Sequence, residues 1–328
     1  MPGWASVLAE IGARQQEGQQ AVDLVRRKYL SRLQKHTGRN VIAYYSGWLN
    51  KPAGTPNLQV GDDDMNAFMA AVHELKRERG LDLILHTPGG DIAATEALVK
   101  YLWTMFDKDI RVIVPQLAMS AGTMIACASK QIIMGKQSSL GPIDPQIFGM
   151  PAQAILEEFE MAIKHIKADP ASTPLWQQIV SRYHPSFLVE CVQAIKWSKT
   201  MVHTWLCENM FAGDPVKAPL AQSIVDFLSD HASTATHSRH LPISKCDEIK
   251  LNVARLEDDK KLQDLVLTVH HAYMHTFSMS PAIKITENHL GTATVLMSMA
   301  QQLRPAVPAQ AITEGPPAPL PVVPSKAA

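Results

Sequence analysis

Two apolar runs, each ending in a loop that opens a helical pattern, constrain this chain more than any other feature. The first is LDLILHT followed by PGGD (Leu81 to Asp91); the second is DIRVIVPQ followed by LAMSAGTMIACAS (Asp109 to Ser129). Strands apolar nearly throughout, alternating with helical segments, belong in a parallel sheet covered by helices. Ligands in such sheets collect beyond the carboxyl ends of the strands, where both loops fall. A Pro-Gly-Gly turn ahead of a helix presents bare backbone N–H groups to a negatively charged oxygen. Ser120, set between small residues at the start of the next helix, offers a hydroxyl with room for attack. One loop able to hold an oxyanion and another able to supply a nucleophile are the parts that acyl transfer needs.

The flanking sequence fits the same class. Residues 1 to about 36 carry Trp4, Val7, Leu8, Ile11, Val22, Val25, Tyr29 and Leu33 at helical spacing, a face that must dock on the body or on another subunit. NVIAYYSG (Asn40 to Gly47) reads as a first strand, and Gly61 to Gly80 as a helix with acidic residues first and basic residues last. Helices are expected from about Ile92 to Phe106 and after Ser120, with a strand at Gln131–Met134 beyond the second of them. From Pro151 to Phe227 the pattern is mainly helical, with breaks at Pro170, Pro174, Pro185 and Pro215. A histidine-rich mixed segment comes next, then a helix from Lys261 to Phe277. The Pro- and Ala-rich stretch from about Arg304 reads as a flexible tail.

Composition narrows the function classes. Lys+Arg and Asp+Glu both number 31, so no net field draws the chain to nucleic acid or an acidic membrane. Charges interrupt every apolar run before it reaches the length of a membrane span, and the N-terminus lacks the pattern of a secretory signal. Cys127, Cys191, Cys207 and Cys246 stand far apart and read as buried thiols in a reducing compartment. These features set the expectation of a soluble, cytoplasmic protein. No P-loop occurs, so any ATP dependence would come from a partner.

The stretches HTPGGDIAATEALVKYL, LAMSAGTMIACASKQIIMG and SSLGPIDPQ resemble the Clp protease/crotonase superfamily. Within it they are most similar to the serine dehydrogenase proteinases, relatives of signal peptide peptidase A. HSRHLPIS, LQDLVLTVHHAYMHT and KITENHLG fit the same group, so the resemblance covers roughly residues 1 to 300. It implies an α/β fold of stacked right-handed ββα turns with helical N- and C-terminal additions, and frequent homo-oligomers. The implied layout is a helical extension over 1–36, a peptidase domain over 37–303 and a tail over 304–328. It also implies a serine endopeptidase acting on polypeptide, without a cofactor and without redox chemistry. The family's nucleophile falls on Ser120, and its oxyanion hole on backbone N–H groups of Gly89, Gly90 and Ala121.

The general base departs from the Clp pattern, because no histidine stands between Ser120 and His165. Signal-peptide-peptidase-like relatives use a lysine, which must be desolvated to act near neutral pH. Lys164, Lys167, Lys196 and Lys199 are the candidates. Lys199 is preferred because Val192, Ile195, Trp197, Val202 and Trp205 surround it in sequence; Asp144 and His184 stand behind the lysines. Metal binding by His231, His237, His240, His270, His271 and His275 is not expected, since HHAYMH lacks the acidic residue of a His-Glu-x-x-His site. Two other readings stay open: a non-catalytic scaffold with this fold, and crotonase-like chemistry on an acyl-CoA, for which no basic phosphate-binding pattern is seen.

Overall fold

The computed structural model describes residues 3–16, 21–230 and 239–298. The tail expected after Arg304 and the boundary expected at 303 lie outside the described residues, as do His231 and His237. In chain order, α1 (Trp4–Gln16) and α2 (Ala21–Thr37) precede β1 (Asn40–Ser46), α3 (Asp63–Val72), β2 (Leu81–His86), α4 (Ile92–Phe106), β3 (Ile110–Val114), β4 (Leu117–Ala118) and α5 (Ala121–Cys127). The short strands β5 (Gln131–Met134), β6 (Ser139–Leu140), β7 (Gln146–Ile147) and β8 (Met150–Pro151) lead to α6 (Ala152–Ala168), α7 (Thr173–Val180), α8 (Phe187–Trp205) and α9 (Lys217–Ser229). Last come β9 (Leu241–Pro242), α10 (Ile243–Glu248), β10 (Val253–Arg255), α11 (Lys260–Met279), β11 (Ala282–Asn288) and β12 (Ala293–Met297).

The main sheet has the order β10-β5-β3-β2-β1-β11-β12. Its first five strands run parallel, as the nearly continuous apolar runs of β1, β2 and β3 lead one to expect. β11 and β12 add an antiparallel pair beside β1, in register Tyr44↔Thr286. Alternate residues of each strand feed opposite cores. Ile42, Tyr44, Leu83, Leu85, Val112 and Val114 face one core, shared with α3, α4, α5, α8 and α9. Val41, Ala43, Tyr45, Ile84 and Ile113 face the other, shared with α1, α2 and α11. The N-terminal helices thus dock on the body through Val7, Ile11, Val25, Tyr29 and Leu33. Arg26 anchors them there: buried, it donates to Glu287 at 2.9 Å and to Thr276 at 3.0 Å.

The helix expected over Gly61–Gly80 stops at Val72. The chain turns there so that Leu75 enters the core, and Asn40 Nδ2 captures the carbonyls of Lys76 (2.7 Å) and Gly80 (2.8 Å). A second, three-stranded sheet orders β4-β6-β9. Thr87 ties it to the main sheet: its N–H donates to Leu117 O at 3.1 Å, and its carbonyl accepts the Met119 N–H at 3.0 Å. These two bonds bring the loop after β2 against the loop after β4. None of the described helices is long and apolar enough to cross a membrane.

Candidate active site

Ser120 caps the N-terminus of α5 with φ 50° and ψ −113°. The Gly122 N–H closes a tight turn onto Met119 O at 2.8 Å, placing Ser120 at the second position of that turn. These are the angles of a II′ turn, at the position that ordinarily takes glycine. A serine held there is strained, and such strain gathers at functional sites. Its side chain makes no capping bond to the helix. Every residue of α5 behind it is buried, so the turn rests on a fixed base.

Across from Ser120 lies the Gly89–Gly90 turn. Gly89 has φ +105°, and a Cβ there would stand 2.6 Å from Ser120 Cβ and 3.1 Å from Ala121 N. Only a glycine allows this approach. The Gly89 N–H is already donated to Thr87 Oγ1 at 3.2 Å. The N–H groups of Gly90 and Ala121 make no backbone hydrogen bond among the described residues. The Gly89–Gly90 peptide therefore packs against Ser120 with two donors at hand.

Gly90 is flanked on its other side by Val60. The Val60 N–H donates to Gly89 O at 2.8 Å, and Val60 O accepts the Asp91 N–H at 2.9 Å. Asp91 then caps α4 by accepting the Ala94 N–H at 2.8 Å. Ser120, Gly90 and Asp91 line a cleft of about 500 Å³ together with Ile92, Met124, Ile143, Ala194 and Trp197. Its walls are mostly apolar, with Asp91 as the one ionisable side chain among the described lining residues.

Ser120, Gly89, Gly90 and Ala121 are thus brought together, and Lys199 is not brought to them. Along α8, Ala194 and Trp197 line the cleft, Ser198 donates to Ile143 O at 3.0 Å, and Met201, Val202 and Trp205 are buried. That spacing of three and four residues defines one helix face. Lys199 falls off this face and lines a separate cavity of about 510 Å³ with Gln153, Glu157, Asp226 and Asp230. Lys164, Lys167 and Lys196 are exposed. Asp144 is buried and accepts from Gln146 Nε2 at 3.1 Å, while His184 is exposed, its Nδ1 2.6 Å from Pro185 O.

The α11 histidines build a packed core. His275 lies under Trp4 of α1, ring centroids 3.9 Å apart, and His270 sits 5.2 Å from the ring of His86. Among the described residues no group of three His, Cys, Asp or Glu is arranged to hold a metal. His86, the last residue of β2, is a buried polar residue of this core that sequence reasoning missed; its signal is a polar residue ending the fully buried run LDLILH. Its Nδ1 accepts the N–H of Leu117, the first residue of β4, at 3.4 Å. Burial and the nearby His270 hold His86 well below the ordinary imidazole range, and burial with His271 pushes His270 down to about 3. Cys127, Cys191 and Cys246 are buried thiols, whereas Cys207 is half-buried.

Parts of this chain are similar to known proteins. Two uncharacterized proteins of Methanocaldococcus jannaschii are each 40% identical to the chain, one over 98 residues (30% of this chain and 34% of the relative) and the other over 192 (58% of each). The chain thus spans between about a third and three-fifths of the relatives it matches. The model of the ClpP-like SDH-type serine proteinases matches residues 13–173, a span that contains Gly89, Gly90, Ser120 and Ala121 and ends before Lys199. The α/β architecture is consistent with the ClpP/crotonase type that this match identifies. The chain is thus similar to the ClpP-like SDH-type serine proteinases over residues 13–173, just under half of its length.

Proposed function

We propose that this protein is a serine-type peptide hydrolase whose nucleophile is Ser120 Oγ. The observation that carries the reading is the glycine-only contact between Gly89 and Ser120, with the Gly90 and Ala121 N–H groups making no backbone hydrogen bond among the described residues. A carbonyl attacked by Oγ becomes a tetrahedral oxyanion, and two preset backbone donors would stabilise it without reorganising. Gly89 serves this arrangement by lacking a side chain, and Gly90 by its N–H. The apolar cleft walls suit the side chains of a polypeptide substrate, and the match to a serine proteinase family supports the same substrate class.

Lys199 is proposed as the general base. Its helix forms a wall of the cleft, and Lys199 follows Ser198, which bonds to the cleft residue Ile143. Base action requires α8 to turn that side chain from its present cavity toward Ser120. The family resemblance further suggests a homo-oligomer; light scattering that returned a monomer across the working concentration range would remove that part. A fluorophosphonate probe tests the central claim. Covalent labelling of the wild type that disappears in Ser120→Ala, with folding unchanged, is the expected result. A wild type that never labels would favour the non-catalytic scaffold.

A further inference from the structure

We infer that a buried ion pair far from Ser120 in sequence, Lys284 with Asp64, sets the orientation of the Gly89–Gly90 peptide and so acts as a positioning pair for the site. The inference rests on the hydrolase reading only for its effect on turnover. Lys284 lies on β11 and Asp64 in the first turn of α3; their side chains are 6% and 4% exposed, with Nζ 2.8 Å from Oδ1. Lys284 Nζ also donates to the carbonyl of Gln59 at 2.9 Å. Asp64 Oδ2 accepts the Tyr44 hydroxyl at 2.8 Å and the Gly61 N–H at 3.0 Å. The pair therefore grips the chain on both sides of Val60, at the carbonyl before it and the N–H after it.

Val60 in turn grips the glycine turn through Gly89 O and the Asp91 N–H. Gly89 O and the Gly90 N–H belong to one planar peptide unit and point in opposite directions. Holding that carbonyl on Val60 thus aims the Gly90 N–H away from Val60. A Gly-Gly peptide has little intrinsic resistance to rotation of its plane, because neither residue carries a Cβ. Rotated, it would offer a carbonyl where a donor is required. The two segments pass so close that a Cβ on Gly90 would lie 2.2 Å from Val60 O, so only glycine fits beside Val60. A buried charge pair is weak support for stability as such, and its members are better accounted for by what they orient.

Single replacements would strand a buried charge and risk unfolding, so the test is the double variant Lys284→Met/Asp64→Asn, which removes both charges together. Two measurements are made on the full chain: amide hydrogen exchange, residue by residue, and the rate of fluorophosphonate labelling. Exchange at Val60 and Asp91 is expected to quicken while the amides of β2 and β3 stay protected, and labelling to slow by about 10²-fold, the size of effect a misplaced catalytic group produces. Unchanged protection at Val60 and Asp91 overturns the inference, whatever happens to labelling. Faster exchange there with undiminished labelling overturns it as well. Should the wild type not label at all, the hydrolase reading fails separately, and the exchange data alone decide whether the pair holds the peptide.

Discussion

Replacing Ser120 by glycine should stabilise the protein, an unusual outcome for a residue so closely packed. The serine occupies φ 50°, ψ −113°, a conformation that costs a residue with a side chain about 1–3 kcal/mol. Glycine adopts it without strain but surrenders about 0.5–1 kcal/mol of unfolded-chain entropy relative to alanine. The hydroxyl makes no helix-capping bond, so no cap is lost on its removal. The balance favours Ser120→Gly over Ser120→Ala by about 0–2.5 kcal/mol, because alanine keeps the strain and loses the oxygen alone. At this chain length about 1 kcal/mol corresponds to roughly 2 °C in the thermal midpoint. Urea midpoints of wild type, Ser120→Ala and Ser120→Gly give the ordering directly. A glycine variant less stable than the alanine variant would refute the assignment of strain to this turn and, with it, the idea that stability is given up for a poised hydroxyl.

Gly89→Ala should lower stability by several kcal/mol and abolish labelling, since the added Cβ would stand 2.6 Å from Ser120 Cβ at a φ of +105°; a labelling rate like the wild type's would contradict the close approach. Acid should weaken the fold early. His86 and His270 titrate below their unfolded value of about 6.5, so above that pH they contribute nothing to its variation. As pH falls below about 6.5 the unfolded chain takes up protons the native core refuses, at a cost of up to about 1.4 kcal/mol per pH unit for each histidine. For His270 the loss continues down to about 3. Urea midpoints at several pH values read this out, and a flat profile between about pH 7 and pH 5 would exclude it. Lys199→Met should remove turnover while keeping the aliphatic packing; full activity in that variant would eliminate Lys199 as the base.

The parts of this molecule legible in its sequence are those held by local forces. Strands β1, β2 and β3 each carry a nearly continuous apolar run and each loop its own glycine or serine, so these strands and the two loops could be read one segment at a time. The pairing of β11 with β1 could not, because Val41 and His289 meet across 248 residues and KITENHLG bears charged side chains. Those charges are satisfied only by residues that fold in from elsewhere, Lys284 by Asp64 and Glu287 by Arg26. The preference for Lys199 counted apolar neighbours along the chain without asking which face of the helix they occupied. Ala194, Trp197, Ser198, Met201 and Val202 already mark the inward stripe, and Lys199 stands outside it. Gly89 and Gly90 were visible as a pair, but their division of labour depends on Thr87 and Val60, whose contacts are tertiary.

The closure of β1 by β11 also bears on how the protein is made. While the ribosome works through the residues between Val41 and His289, β1 has a partner available on its β2 side only. At about 5–20 residues per second, that interval lasts on the order of tens of seconds. Throughout it, the segment NVIAYYS presents an apolar, uncharged and proline-free edge, the composition that templates strand addition from other chains. Nascent or truncated forms ending before Ala282 therefore carry β1 as an uncovered edge of their sheet, and their solubility depends on whatever covers that edge until synthesis ends.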